Sequence, residues 1–157
     1  MKYYLFILFP FFMACEDSIT LDVAKVSSIH YAFHDSSVPP QYHRSYDIKI
    51  SRTDVHVTVD SYGDELANEN YELSSEQFSD LINTINQSNL VSGAIKAEEG
   101  CVGGTSESLV INESNAQVYK GTIDNCGGTA IPSTFGDIKT VVNAIKALVP
   151  NLAELRK

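Results

Sequence analysis

The sequence predicts an α+β fold: a single antiparallel sheet of about five strands with two helices on one face. Three observations carry this expectation. Apolar and polar residues alternate over 46–59 and again around 109–119, the period of strands buried on one face. Two later stretches place apolar residues at i, i+3, i+4 and i+7, the period of amphipathic helices. The two patterns recur in the same order, offset by 61 residues for the strands and 60 for the helices, so the chain reads as two pseudo-repeated strand-strand-helix units.

Residues 1–14 precede that fold and read as an export signal. Lys2 supplies a positive start, Tyr3 to Phe12 an apolar run of about ten residues, and Ala14 the small residue that a signal peptidase needs. Ten apolar residues are too few for a membrane-spanning helix, which needs about twenty. The segment Phe12-Met13-Ala14-Cys15 resembles a lipobox, with Phe12 and Met13 departing from the usual Leu and small residue. The resemblance implies lipidation at Cys15 and a lipid-anchored protein of the cell envelope, at the outer membrane, facing the periplasm or the surface. Several acyl chains on one cysteine hold far more tightly than the marginal binding of one. Residues 15–25 then form the lipidated cysteine and a polar tether, 26–150 the single α+β domain and 151–157 a C-terminal tail.

Within the domain, Ile29, Tyr31 and Phe33 alternate with His30, Ala32 and His34, which predicts a first strand. Asp35 to Arg44, with Pro39-Pro40, is a loop. Tyr46, Ile48 and Ile50, a turn at 51–54, then Val55, Val57 and Val59 form a hairpin. Ser61 to Asn70 is read as a loop. Ser74 with Gln77 makes a capping box for a helix whose stripe is Phe78, Leu81, Ile82 and Ile85, with Leu73 placed as the hydrophobic staple. The second unit has Leu109 and Ile111, a turn at 112–115, Val118 on the inner face, and a helix with stripe Ile138, Val141, Val142 and Ile145. Thr134 and Asp137 are its expected box-like cap. The outer sheet face is then expected to carry Asp47, Lys49, His56, Thr58, Val110, Asn112, Gln117 and Tyr119. It is the largest candidate binding surface, with Lys49, His56, Thr58, Gln117 and Tyr119 at its heart.

Charge narrows the partners. Lys plus Arg number 11 against 20 Asp plus Glu, a net charge of −9. That field repels nucleic acid and anionic headgroups, so neither is an expected partner. The absence of Trp argues against a carbohydrate-stacking platform, although eight Tyr are present. With Cys15 acylated, Cys101 and Cys126 remain in an oxidising setting and are expected to pair. A bridge closing a loop of about 25 residues stabilises by roughly 3 kcal/mol on the chain-entropy account.

Chemistry is harder to find. No Ser sits in a nucleophile elbow, no Cys pair has metal-site or redox spacing, and the Gly-Gly pairs do not open helices, so no catalytic residue and no cofactor is expected. His30 and His34 share a strand face but lie about 13 Å apart. A metal site therefore needs His56 or His43 from a neighbouring strand, and His30 and His56 are its weak candidates.

From Tyr46 to Leu148, the paired segments Cys101-Val102-Gly103-Gly104-Thr105 and Cys126-Gly127-Gly128-Thr129, together with the lipobox-like start, resemble those of small lipoproteins of Bacteroidetes-type bacteria. The resemblance implies an envelope protein and brings no activity with it. Two readings follow. One is a membrane-tethered binding or accessory module for an envelope protein. The other is an inhibitor of an exported protease or lysozyme, acting through the Asp35 to Arg44 or Glu98 to Thr105 loop.

Overall fold

In the computed structural model, which describes residues 18–92 and 103–157, the chain forms one antiparallel sheet of seven strands and three short helices. The expectation of about five strands and two helices is therefore corrected toward a mostly β molecule. The strands are β1 (Val26–His34), β2 (Ser45–Ile50), β3 (Asp54–Ser61), β4 (Asp64–Glu72), β5 (Thr105–Glu113), β6 (Ala116–Cys126) and β7 (Thr129–Pro132). The helices are α1 (Ser75–Gln87), α2 (Ile138–Ala147) and α3 (Leu152–Leu155). Sheet order is β4-β3-β2-β1-β5-β6-β7, with β1 central and paired to both β2 and β5.

The two strands missing from the sequence reading are the sheet edges, and the reason is physical. No residue of β4 or β7 is fully buried, so neither carries a one-sided apolar alternation. Both are held by pairing with their inner neighbours. Tyr62-Gly63, Ser114-Asn115 and Gly127-Gly128 turn three of the four hairpins with both residues at positive φ, the geometry that matches the twist of flanking strands. The stretch read as a tail holds α3, whose Leu152 and Leu155 pack against the core. The tether is likewise shorter than expected, because Leu21 is buried and Ile19 and Val23 pack beside it.

Each helix buries the stripe that its periodicity predicts: Phe78, Leu81, Ile82 and Ile85 in α1, and Ile138, Val141, Val142 and Ile145 in α2. All eight join one cluster with the inner sheet residues, so both helices cover the same face. Full burial of each such side chain contributes about 1.5–3 kcal/mol. Ser74 and Gln77 form the complete capping box of α1. At α2 the cap is Asp137 alone, accepting from the Thr140 amide, while Thr134 is drawn inward to accept from the buried Tyr119 hydroxyl at 2.8 Å.

Tyr119 overturns the predicted phase of β6. A bulge lies between the pairs Ile111↔Tyr119 and Asn112↔Gln117, leaving Val118 as the extra residue. Tyr119 therefore turns inward and is fully buried, with Val118 half-buried. Its ring lies over Gly121, where an added Cβ would come within 2.4 Å of the Tyr119 hydroxyl.

The repeat also changes character. Each unit has three strands and a helix, and the units flank β1 with their helices on the same face. Because β2 and β5 both run antiparallel to β1, they are parallel to each other, and the meanders advance in opposite directions. The operation that exchanges them is a reflection. Chains of L-residues are not superposed by a reflection, so the repeat is one of order and pattern.

Candidate functional site

The uncovered sheet face carries a row across five strands. His56 pairs with Lys49, Lys49 with His30, His30 with Val110, and Val110 with Lys120. The structure thus brings together three of the expected residues, His30, Lys49 and His56, with Thr58 one step along β3. His30 Nε2 meets Asp47 Oδ1 at 2.6 Å, and His56 Nε2 meets Thr58 Oγ1 at 3.3 Å. The His30 hydrogen bond, aided by the positive charges of His30, Lys49 and His34, holds the Asp47 carboxyl below the usual carboxylate range against the opposing effect of burial.

Two expected members of that surface fall away. Tyr119 is in the core, and Lys120 takes its outward place. Gln117 stays exposed but sits at the far end of β6, three strand spacings or about 15 Å from β2. As a metal site the face does not assemble: Lys49 stands between His30 and His56, and both Nε2 atoms have other partners. Among the described residues no three His, Cys, Asp or Glu side chains gather to hold an ion. Cys126 ends β6 and is disulfide-bonded, whereas Cys15 and Cys101 lie outside the described residues.

A second candidate surface lies at one end of the sheet, in the loop 35–44. The Asp35 carboxylate accepts the Ser36 and Arg44 amides at 2.8 and 2.9 Å, closing the loop across its base. Ser61 Oγ donates to Pro40 O at 2.8 Å, and Tyr62 Oη to Val38 O at 2.6 Å. His43, buried, stacks on the Tyr62 ring with centroids 3.9 Å apart. At the crest of this pinned loop Tyr42 is 68% exposed, and Tyr62 beside it is 56% exposed.

Cations collect around these rings. Arg44 Nη2 donates to Lys157 O at 2.8 Å, and the Arg156 guanidinium lies over the Phe33 and Tyr46 rings at 5.3 and 4.9 Å. Gln41, Tyr42, Arg44, Arg156 and Lys157 line a shallow cavity of about 190 Å³. The sequence signals the loop through Pro39-Pro40, but nothing local marks Arg156 and Lys157, which α3 carries there from the far end of the chain. The other expected loop, Glu98 to Thr105, lies outside the described residues except for 103–105.

Two polar clusters resemble catalytic groups until their geometry is followed. Ser45 Oγ lies 3.3 Å from His43 Nε2, but Ser45 is buried and His43 Nδ1 has no hydrogen-bond partner among the described residues. The nearby Asp35 carboxylate serves backbone amides, so no carboxylate orients the imidazole as a hydrolase requires. Under α2, Tyr31 Oη donates to Glu107 at 2.5 Å and Lys146 Nζ reaches the same carboxylate at 3.3 Å. Burial, reinforced by Glu107, pushes the Tyr31 hydroxyl far up, which keeps it a proton donor to Glu107. The cavity beside this trio, about 220 Å³, is lined by Lys139, Val142, Asn143 and Ile123 among others.

Compared with known protein families and with curated proteins, the chain matches none.

Proposed function

We propose that this chain is a lipid-anchored lipoprotein of the cell envelope that acts as a protein-binding or accessory module, docking its partner through the loop 35–44. The observation that carries the reading is the pinned crest at Tyr42. Tyr and Arg dominate the energetics of protein interfaces, and Tyr42, Tyr62, Arg44 and Arg156 collect at one end of the sheet. A loop already held by Asp35, Ser61 and Tyr62 loses little entropy when it docks. By charge, the partner presents an acidic surface with an apolar slot for a phenol ring.

The anchor is argued from Met1 to Cys15, by the lipobox-like Phe12-Met13-Ala14-Cys15 and the resemblance to small envelope lipoproteins. Intact mass of the native protein tests it: a mature chain starting at Cys15 without added lipid refutes lipidation. We also propose that Cys101 is the partner of Cys126. Failure of the oxidised protein to gain about 2 Da on reduction, one hydrogen per sulfur, refutes that bridge.

Affinity capture after light crosslinking tests the docking reading, using full-length lipidated protein and a Cys15→Ser control. An envelope partner lost with Tyr42→Ala but retained with Lys49→Ala/His56→Ala supports it. The reverse pattern moves the site to the open sheet face. The rigidity of the loop also favours the inhibitor reading. If the captured partner is an exported protease or lysozyme, this protein should block it at a stoichiometric dose, and Tyr42→Ala should relieve the block.

A further inference from the structure

We infer that the end of the domain where the chain enters it faces the lipid bilayer, and that Phe135 inserts into the headgroup region there. The inference rests on the lipoprotein reading, because it needs Cys15 to be acylated. Only Glu16, Asp17 and Ser18 separate Cys15 from Ile19. Four residue steps, fully extended, span at most about 14 Å. The lipid anchor therefore cannot lie far from wherever Ile19 is fastened.

Ile19 is fastened to the C-terminal end of α1. Its amide donates to Leu90 O at 2.8 Å. Two residues on, the Leu21 amide donates to Asn86 Oδ1 at 2.7 Å while Asn86 Nδ2 donates back to Leu21 O at 3.0 Å. Leu21 itself is buried in the core. These bonds fix Ile19 on the domain, so an anchor within about 14 Å of it selects which surface meets the membrane.

Phe135 lies on that surface. The Val91 amide donates to Phe135 O at 3.2 Å, and Thr134 Oγ1 donates to Val91 O at 2.7 Å. The Leu90-Val91 backbone thus lies between Ile19 and Phe135, which places the two about 10 Å apart. Phe135 is 55% exposed, on a backbone held by the Val91 amide. Gly136 behind it is held at φ +95° against the Asn89 carbonyl, and the Asp137 amide donates to Ser88 O at 2.8 Å. A fixed apolar ring within the reach of the anchor is placed for interfacial insertion. The net charge of −9 opposes approach to an anionic bilayer, so this contact depends on the anchor. Tyr42 follows the C-terminal end of β1, whereas the entering chain joins its N-terminal end at Val26, so this orientation turns the loop 35–44 away from the membrane.

The chain contains no Trp, so Phe135→Trp places a single fluorophore at the proposed contact. In vesicles of phosphatidylethanolamine and phosphatidylglycerol containing brominated phospholipid, the full-length lipidated variant should show blue-shifted emission and lose about half its intensity. Tyr42→Trp should be unaffected, and Cys15→Ser/Phe135→Trp should stay in solution, unquenched. Quenching of Tyr42→Trp alone, or of neither reporter in protein whose intact mass includes the lipid, overturns the inference while leaving the anchor in place. Absence of the lipid mass overturns the lipoprotein reading itself. Broadening of the Phe135 amide resonance by spin-labelled lipid repeats the test on the unsubstituted chain, and absence of that broadening overturns the inference.

Discussion

The two halves that flank β1 follow the same plan, yet they depend on different kinds of residue. In β2–β3–β4–α1, regular alternation in β2 and β3 carries the fold: Ile48, Ile50, Val55, Val57 and Val59 face inward without interruption, the bulge of this half falls at Leu66 on the exposed edge strand β4, and the helix begins at a neutral serine cap. In β5–β6–β7–α2 the alternation breaks at Val118, and the half is held by particular contacts. Tyr119 lies over Gly121, Thr134 bonds it, and Gly136 seats α2 against the end of α1. A pattern-built half should tolerate single changes at its turns, whereas a contact-built half should not.

The largest effects should be equal in the two halves. Ile85→Ala in α1 and Ile145→Ala in α2 remove side chains that are both fully buried, so each should cost about 2–5 kcal/mol in denaturant unfolding. A difference of more than about 1.5 kcal/mol between them would break the view that both helices share one core.

The halves should part at their turns. Gly63→Ala, at φ +94° with open space around it, should cost only the backbone term, about 1 kcal/mol. Gly136→Ala has the same φ but drives a Cβ to 2.4 Å from the Asn89 carbonyl, and should cost about 3 kcal/mol or more. Equal unfolding midpoints for the two variants would refute the contrast.

Smaller effects sharpen it. Tyr119→Phe deletes the hydroxyl that donates to Thr134, whose own hydroxyl still donates to Val91 O, and should cost about 1 kcal/mol by urea titration. The caps differ in pH response. Hydrogen bonds from the Thr140 side chain and amide hold the Asp137 carboxyl below its ordinary value. Its stabilisation is therefore present above the ordinary carboxylate range and is lost as pH falls through the lowered value. Wild type should lose more stability on acidification than Asp137→Asn, which caps without titrating. Ser74→Ala in α1 should cost about 1 kcal/mol at every pH, because a serine cap does not titrate. Parallel melting-temperature profiles for wild type and Asp137→Asn across this range would count against the Asp137 assignment.

Legibility followed burial. The stripes of α1 and α2 and the inner faces of β1, β2, β3 and β5 could be read because a one-sided apolar environment imposes a period on sequence. Edge strands β4 and β7 could not, since pairing on one side and water on the other impose none. The outer face was half legible: His30, Lys49 and His56 follow from alternation in β1–β3, but Gln117 and Tyr119 were assigned by extending that alternation through a bulge. The loop end was less legible still, because Arg44 meets Lys157 across 113 residues of chain.

By itself the sequence determined the central strands, the two capped helices and the excess of acidic over basic residues, all properties of local pattern and composition. Only the tertiary structure decided that the described residues form a seven-stranded sheet, that Tyr119 is core and that Arg156 joins the loop 35–44. It also decided that Ile19 and Phe135 flank the Leu90-Val91 backbone. The physical reason is that hydrogen-bond pairing at an edge, one extra residue in a strand and contact between distant segments leave no period in the chain, and show only once the backbone has closed on itself.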